Sequence, residues 1–350
     1  MSVKDRISKL EPYVPSERNF DSKNWSYCDW NESQFPPSPK VQEGIQNFLL
    51  DDKIQKYPCT NNKKLINLLC EYTGLNNDNI AIYNGSDDAL KDIFFSFADA
   101  NTRVVTYSPS YTQVDTFIAL ATDNHHKEEI LDPMGKHIYN FKFLKDCDIV
   151  YLVNPNNPTG HIIKKDIIEK VVSDNPKTLF IVDEAYYEFS KHSCCELVLK
   201  YDNIMITRTF SKAFGLAALR IGYVLASKSK INFLNKVRNV KSVNAIAQTA
   251  AIACLQDLEY LENCVSETTK SRKLLENYIN NSKYLSCINS HSNFVLVKTN
   301  DAQKVIKKMI ENNISIRDRS SFKNLDNCIR ITVGSLATTQ KIIEVLENIE

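Results

Sequence analysis

Three strand-like runs in this 350-residue sequence each end in side chains able to do chemistry. Ile149-Val150-Tyr151-Leu152-Val153 leads into Asn154-Pro155-Asn156-Asn157-Pro158-Thr159-Gly160, and Leu179-Phe180-Ile181-Val182 leads into Asp183-Glu184-Ala185-Tyr186. Ile204-Met205-Ile206-Thr207 leads into Arg208-Thr209-Phe210-Ser211-Lys212. Asn157 precedes Asp183 by 26 residues and Asp183 precedes Lys212 by 29, each about one strand–helix–strand unit. If the three strands are parallel, an amide, a carboxylate, a phenol and an amine meet at the carboxyl edge of one sheet, where open α/β folds bind ligands. Each motif alone has an ordinary explanation: an Asn-Pro turn, an Asp capping the next helix, a solvated lysine. Their order and spacing together make a constellation of perturbable groups on one crevice.

The chemistry that suits this set is that of pyridoxal phosphate. A lysine amine forms a Schiff base with the cofactor aldehyde, and a carboxylate keeps the pyridine nitrogen protonated so that the ring draws electrons. Lys212 and Asp183 fit those roles, and Asn157 and Tyr186 can hydrogen-bond the ring's 3-oxygen. Ser211 and Arg220 are candidates for the phosphate, since arginine grips phosphate with two parallel bonds where lysine offers a point charge. Tyr83-Asn84-Gly85-Ser86-Asp87-Asp88 reads as a strand end turning into a helix start, an anion site by virtue of its free N–H groups and dipole. The same letters also describe a plain helix cap with an acidic first turn. Tyr111, after the next strand, could stack on the pyridine face or serve as a half-buried core tyrosine.

The elements that must position these groups alternate. Helical patterns at 40–50 and 62–72 come first, then strand-like runs at 80–83, 103–107, 148–153, 178–182, 203–207 and 221–226, with helical stretches such as 86–98 and 164–173 between them. That alternation is the signature of an α/β fold with a mostly parallel sheet flanked by helices. A long helical region at 230–282 follows, then strands at 287–299, 314–318 and 328–333 and a final helix from about 337. The change of pattern predicts a smaller α+β domain towards the C-terminus.

Composition narrows the field further. Eight glycines stand where average usage would place about 25; neither G-x-G-x-x-G nor G-x-x-x-x-G-K occurs, which removes the dinucleotide fingerprint and the P-loop. Lys+Arg 43 against Asp+Glu 42 leaves a net charge of +1 with no basic stripe, so nucleic-acid binding is not expected. No apolar run approaches a membrane span, and Met1–Phe20 lacks the apolar core of a signal peptide, so the expectation is a cytoplasmic protein away from membranes. Ten cysteines without a C-x-x-C predict reduced, mostly packing thiols and no metal site.

With these residues assembled, N-P-N-N-P-T-G, D-E-A-Y-x-E-F and T-x-S-K-A-F-G-L-x-x-L-R-I-G resemble the fold-type I aminotransferases, and within them the histidinol-phosphate aminotransferase group, which also includes threonine-phosphate decarboxylase. The resemblance spans about residues 28–335. It implies a seven-stranded large-domain sheet, a homodimer with active sites at the subunit interface, and a division into an N-terminal arm at 1–40, a large cofactor-binding domain at 41–245 and a small domain at 246–350. It assigns Lys212 as the Schiff-base lysine, Asp183 as the pyridinium partner, and Asn157 and Tyr186 as 3-oxygen ligands. Gly85, Ser86, Asp87, Thr209, Ser211 and Arg220 then form the phosphate cradle, with Tyr111 beside the ring. Tyr57 would reach the neighbouring subunit's cofactor phosphate. Asn31, Arg317 and Arg330 would hold substrate. Two departures stand out: Asn31-Glu32-Ser33-Gln34-Phe35-Pro36 replaces the group's N-E-N-P-x-G, and Ala218 stands where the family has glycine.

The leading expectation is a transaminase acting on a small phosphorylated amino or keto compound of the histidinol phosphate type, with an amino acid such as glutamate as donor. Decarboxylation of a phosphorylated serine or threonine is the alternative, and a non-catalytic protein retaining the fold is the third. In the first two, Lys212→Ala purifies without the Schiff-base absorbance and does not turn over; normal turnover in that variant would remove Lys212 from the chemistry.

Overall fold

The computed structural model describes residue 7 and residues 24–132, 135–144 and 146–349. The expected N-terminal arm therefore enters the description at residue 24, and its positions 1–6 and 8–23 lie outside the described residues. In chain order the strands are β1 Ser26–Tyr27, β2 Ile80–Tyr83, β3 Val104–Ser108, β4 His125–Glu129, β5 Ile149–Val153, β6 Leu179–Asp183, β7 Ile204–Thr209 and β8 Gly222–Ala226. They continue with β9 Ser286–Cys287, β10 Phe294–Lys298, β11 Ile314–Ser315, β12 Arg317–Asp318 and β13 Cys328–Thr332.

Seven strands form the central sheet in the order β2-β8-β7-β6-β5-β3-β4. The five from β7 to β4 run parallel, while β8 is antiparallel to both β7 and β2. β5 and β6 are buried at every position. Side chains alternate between faces along a strand: Val150, Leu152, Phe180 and Val182 pack into one hydrophobic cluster, and Ile149, Tyr151, Val153, Leu179 and Ile181 into the other. A strand covered by helices on both faces has no position for a polar residue until its end. The chemistry-bearing residues are therefore held back to the turns after Val153, Val182 and Thr207.

Several elements were not legible in the sequence. β4 reads His125-His126-Lys127-Glu128-Glu129, half-exposed and paired on one side only, with β3; an edge strand tolerates the charges that an inner strand excludes. The helix Gln113–Ala121 between β3 and β4 is short and mostly apolar. The helical stretch at 230–282 is three helices, Lys228–Val237, Ala245–Leu255 and Leu258–Asn281, and a further helix, Ala302–Glu311, separates β10 from β11.

A second, four-stranded antiparallel sheet has the order β12-β13-β10-β9. One face, with Val295, Val297, Ile329 and Ile331, packs on Leu275, Ile279, Val305, Met309, Ile342 and Val345 from three helices. The opposite face turns Phe294 and Leu296 towards the core of the large sheet. The helix Ala245–Leu255 packs against Pro39–Leu50 and Lys63–Thr73, and its buried residues share the large-sheet core. The next helix carries Leu261 and Val265 into that same core but Leu275 and Ile279 into the small one. We propose the division of the two units inside Leu258–Asn281, between Val265 and Leu275, in place of the expected boundary at residues 245 and 246. β1 pairs in parallel with β11, Ser26 opposite Ile314, so the chain ahead of Asn31 is stitched to the small unit.

Where β6 and β7 end, an ion pair is sealed in the core. Nε and Nη2 of Arg208 donate to Glu184 Oε2 at 2.9 and 2.8 Å, and both side chains are essentially inaccessible. The Cys194 amide and the Ser193 hydroxyl donate to the same carboxylate, and the guanidinium lies 3.7 Å over the Tyr187 ring. Nearby, burial pushes the Glu188 carboxyl up to about 7. Glu184 follows Asp183, and Arg208 precedes Lys212 by four residues, so the pair pins together the two strand ends that carry the chemistry. Removing one member of such a pair leaves an uncompensated buried charge and costs about 3–5 kcal/mol. Glu184→Ala is accordingly expected to lower the stability measured by urea unfolding by that order; a change below about 1 kcal/mol, a typical surface-pair value, would show that the pair is not what holds these ends.

Candidate functional site

The loop after β5 shows how the sequence singles out one asparagine among three. Asn154 brackets Ile163, donating to its carbonyl at 3.1 Å and accepting from its amide at 2.8 Å. The Asn156 amide donates to Pro109 O and Thr159 Oγ1, both at 3.0 Å, and its Oδ1 accepts from Ser110. Both are consumed in building the turn. Gly160 closes it at φ +70°, where a side chain would strike Ser290. That leaves Asn157 facing a cavity of about 460 Å³ shared with Asp183, Tyr186, Lys212 and Arg330.

Asp183 sits at the end of β6, buried. Its Oδ2 accepts from Tyr151 Oη at 2.8 Å and its Oδ1 from the Ala185 amide at 3.1 Å. Burial pushes its carboxyl up to about 6, and Tyr151 pulls against that shift. Lys212 Nζ donates to Trp30 O at 2.8 Å and lies 6.0 Å from the centre of the Tyr186 ring. Burial first, and then the Arg330 charge, bring its amine down to about 8. The Tyr186 hydroxyl accepts from Asn31 Nδ2 at 2.9 Å. Asn31, at φ 56°, is itself fixed by Thr332 at 3.0 Å through both its amide and its Oδ1, and by Asn293. Arg330, buried on β13, donates to Asn157 Oδ1 at 2.6 Å and to Asp29 O. The Asn31–Tyr186 and Arg330–Asn157 bonds thus form two hydrogen-bonded links across the cavity between the two units.

On the opposite wall, Arg220 Nη1 is 3.3 Å from Ser211 Oγ and its Nη2 is 3.3 Å from Asp87 Oδ2. Thr209 Oγ1 bonds Ser211 Oγ at 3.0 Å. The helix Ser86–Phe97 begins here at Gly85, φ +86°, with no side chain capping its first turn. A Cβ on Gly85 would come within 2.8 Å of Arg220 Nη2, so the missing side chain keeps a space open between the helix start and the guanidinium. Tyr111 lies at this wall, its hydroxyl donating to Asp87 Oδ1 at 2.8 Å.

The residues suit pyridoxal phosphate on these observations alone. A buried carboxylate suits a cationic ring nitrogen, an amine of lowered pKa lines the same cavity, and a glycine-shaped cradle with an arginine, two hydroxyls and a helix N-terminus is matched to a phosphate dianion. Thirteen of the fifteen expected site residues line this cavity, and Gly85 adjoins it at the start of the helix beside Arg220. Tyr57 does not: it is 79% exposed, on a loop outside the cavity of its own chain, with Lys241 Nζ 4.5 Å from its ring centre. Ala218, also exposed, lines a neighbouring cavity with Ser33 and Gln34. Sequence reasoning missed Tyr151, Trp30 and Arg319. Tyr151 carried a signal, as the one hydroxyl in an otherwise aliphatic inner strand; Trp30 acts through its backbone carbonyl and carried none.

This architecture and site define a pyridoxal-phosphate enzyme of the aminotransferase type. The family model "Aminotransferase class I and II" matches residues 27–349, and the chain belongs to that family. It is 34% identical to the dihydroxyacetone phosphate transaminase Cj1437c of Campylobacter jejuni, over 96% of this chain and 94% of that one. It is 31% identical to the histidinol-phosphate aminotransferase of Methanocaldococcus jannaschii, over 99% and 97%. Among solved structures it resembles the Sinorhizobium meliloti histidinol-phosphate aminotransferase in complex with pyridoxal-5'-phosphate, with a TM-score of 0.87, 27% identity and coverage of 99% and 97%.

The Tyr151 hydrogen bond favours the charged form of Asp183, so its removal raises the carboxyl pKa and thins the carboxylate population at a given pH. A bond to a charged group is worth about 1.5–3 kcal/mol. Tyr151→Phe is expected to shift the acid limb of the kcat/KM profile to higher pH and to weaken cofactor retention in dialysis by about tenfold or more. An unmoved acid limb would separate Tyr151 from the carboxylate's function.

Proposed function

We propose that this aminotransferase moves an amino group between an amino-acid donor such as glutamate and a small phosphorylated amino or keto compound, an amino-alcohol phosphate of the kind named for its relatives. The observation that carries this reading is the wall of guanidinium groups facing Lys212. Arg330 is fixed beside Asn157, and Arg317 lies directly opposite it in the β12–β13 register. A substrate must therefore offer anionic groups to the small unit while its amine or carbonyl carbon reaches the lysine.

Pyridoxal phosphate, when bound, supplies an aldehyde to carry the amino group and a ring that draws electrons from the substrate carbon. The chain's own residues do the rest. Asp183 holds a buried negative charge at the cavity floor. Lys212 Nζ, with an amine pKa near 8, has an unprotonated fraction at neutral pH large enough to take the proton from the substrate's α-carbon and return it. Arg317 and Arg330 orient the substrate, and Asn31 and Asn157 hold Tyr186 and Arg330 in place. The protein is read as a homodimer: Tyr57, Leu50 and Ile54 are exposed at 79, 81 and 69% on one segment, a surface suited to a second copy that would receive the tyrosine beside its cofactor phosphate.

Half-reactions test this. Adding L-glutamate to the holoenzyme is expected to abolish the cofactor's aldehyde absorbance, and dihydroxyacetone phosphate or the keto form of histidinol phosphate to restore it with formation of the phosphorylated amine. Carbon dioxide release from O-phospho-L-threonine without any keto acid would replace transamination by decarboxylation. A holoenzyme that responds to no phosphorylated compound would overturn the reading.

A further inference from the structure

The cavity holds a third arginine on the small unit. Arg319 lines it together with Arg317 and Arg330. Side chains alternate along extended backbone, so in Arg317-Asp318-Arg319 the two guanidiniums face one way and the carboxylate the other. Asp318 is exposed and turned outward, accepting from Gln303 Nε2 and from the Ser320 amide, both at 2.8 Å. The Arg319 amide donates to Cys328 O at 2.8 Å, which extends the β12–β13 pairing past the end of the strand and fixes which face Arg319 presents. Its guanidinium lies 5.9 Å from the centre of the Phe322 ring. The positive charges of Arg330 and Arg319 both work against the burial that raises the Tyr186 phenol, which puts Arg319 within electrostatic reach of the reacting end of the cavity.

The three arginines differ in depth. Arg330 is 3% exposed and already engaged by Asn157 and Asp29, whereas Arg317 and Arg319 are half-buried. On the side of the cofactor, Asp87 is shared between Tyr111 and Arg220, and Asp183 is held by Tyr151. Two guanidinium forks side by side repel one another, and a group placed between them gains most if it offers charge and acceptor oxygens to both. A carboxylate has one charge and two oxygens, which one fork satisfies. A phosphate monoester has close to two charges and three terminal oxygens.

We propose that Arg319 is a specificity-determining residue, which with Arg317 forms a two-guanidinium clasp selecting a phosphate monoester over a carboxylate as the distal group of the substrate. The inference rests on the transaminase reading above and adds the residue that sets the substrate class. Arg330, deeper and beside Asn157, then serves the anionic group nearest the reacting carbon.

Trp30 lines the same cavity, so its fluorescence reports binding without turnover. The holoenzyme is titrated with sn-glycerol 3-phosphate, an unreactive phosphate monoester, and separately with glutarate, an unreactive dicarboxylate. Arg319→Gln is expected to raise the half-saturating glycerol phosphate concentration by about tenfold or more, as for the loss of a charge-assisted bond, and that of glutarate by less than about threefold. Arg319→Lys should recover part of the loss. In turnover the same variant should raise KM for dihydroxyacetone phosphate far more than it lowers kcat. Equal affinity of wild type and Arg319→Gln for glycerol phosphate, or equal losses for both ligands, would overturn the proposal. Failure of the wild type to bind glycerol phosphate at all would instead overturn the phosphorylated-substrate part of the reading on which it rests.

Discussion

A negative charge buried at the end of an apolar strand is the constraint on which the rest of this molecule turns. Asp183 terminates β6, every residue of which is buried between two helical layers. An isolated carboxylate in such a place is costly, and the chain supplies it with Tyr151 and one backbone amide. Burial still pushes its carboxyl up to about 6, against the pull of its hydrogen bonds. In the proposed function a protonated pyridine nitrogen would add a further partner to this carboxylate.

Holding that charge in place requires stiff surroundings. The Arg208–Glu184 pair ties the tip of β6 to that of β7 and so ties the carboxylate to the lysine four residues beyond Arg208. The pair has no member lining the cavity. Its position beside the two reacting strands, and its enclosure by Ser193, Cys194 and Tyr187, mark it as the brace for the site. The small unit completes the arrangement from the other side. β1 joins its edge through β11, and Asn31 passes from there to Tyr186. The small-unit wall of the cavity is thereby coupled to the large-sheet wall through side-chain bonds and not only through the chain.

A large part of this was legible in the sequence. The parallel inner strands were readable because burial on both faces demands uninterrupted apolar runs, and their ends were readable because polar residues can appear only there. Lys212, Asp183, Asn157 and Arg220 followed from those ends. β4 was hidden by its charges, which an edge strand permits. The boundary proposed inside Leu258–Asn281 differs from the expected one at 245 and 246 because that helix contributes to two cores along one continuous run. Arg319 was hidden because a strand arginine is indistinguishable by type from a surface one. Five of the eight glycines, Gly85, Gly160, Gly215, Gly222 and Gly334, lie in the site motifs, and at Gly85 and Gly160 the structure shows what fills the space a side chain would take.

The sequence by itself determined the sheet and the cofactor chemistry, because each of these is set by local rules: side-chain period, strand ends and the residue types and spacing of the motifs that follow them. Only the tertiary structure decided which groups share a wall. Asn31 and Tyr186 are 155 positions apart, Asn157 and Arg330 are 173 apart, and Lys212 finds its carbonyl partner 182 residues away at Trp30. Contacts across such separations depend on how two packed units meet, and packing depends on shape and volume summed over many residues. The substrate end of the cavity is built almost wholly from such contacts, whereas the cofactor end is built from turns that each strand carries with it.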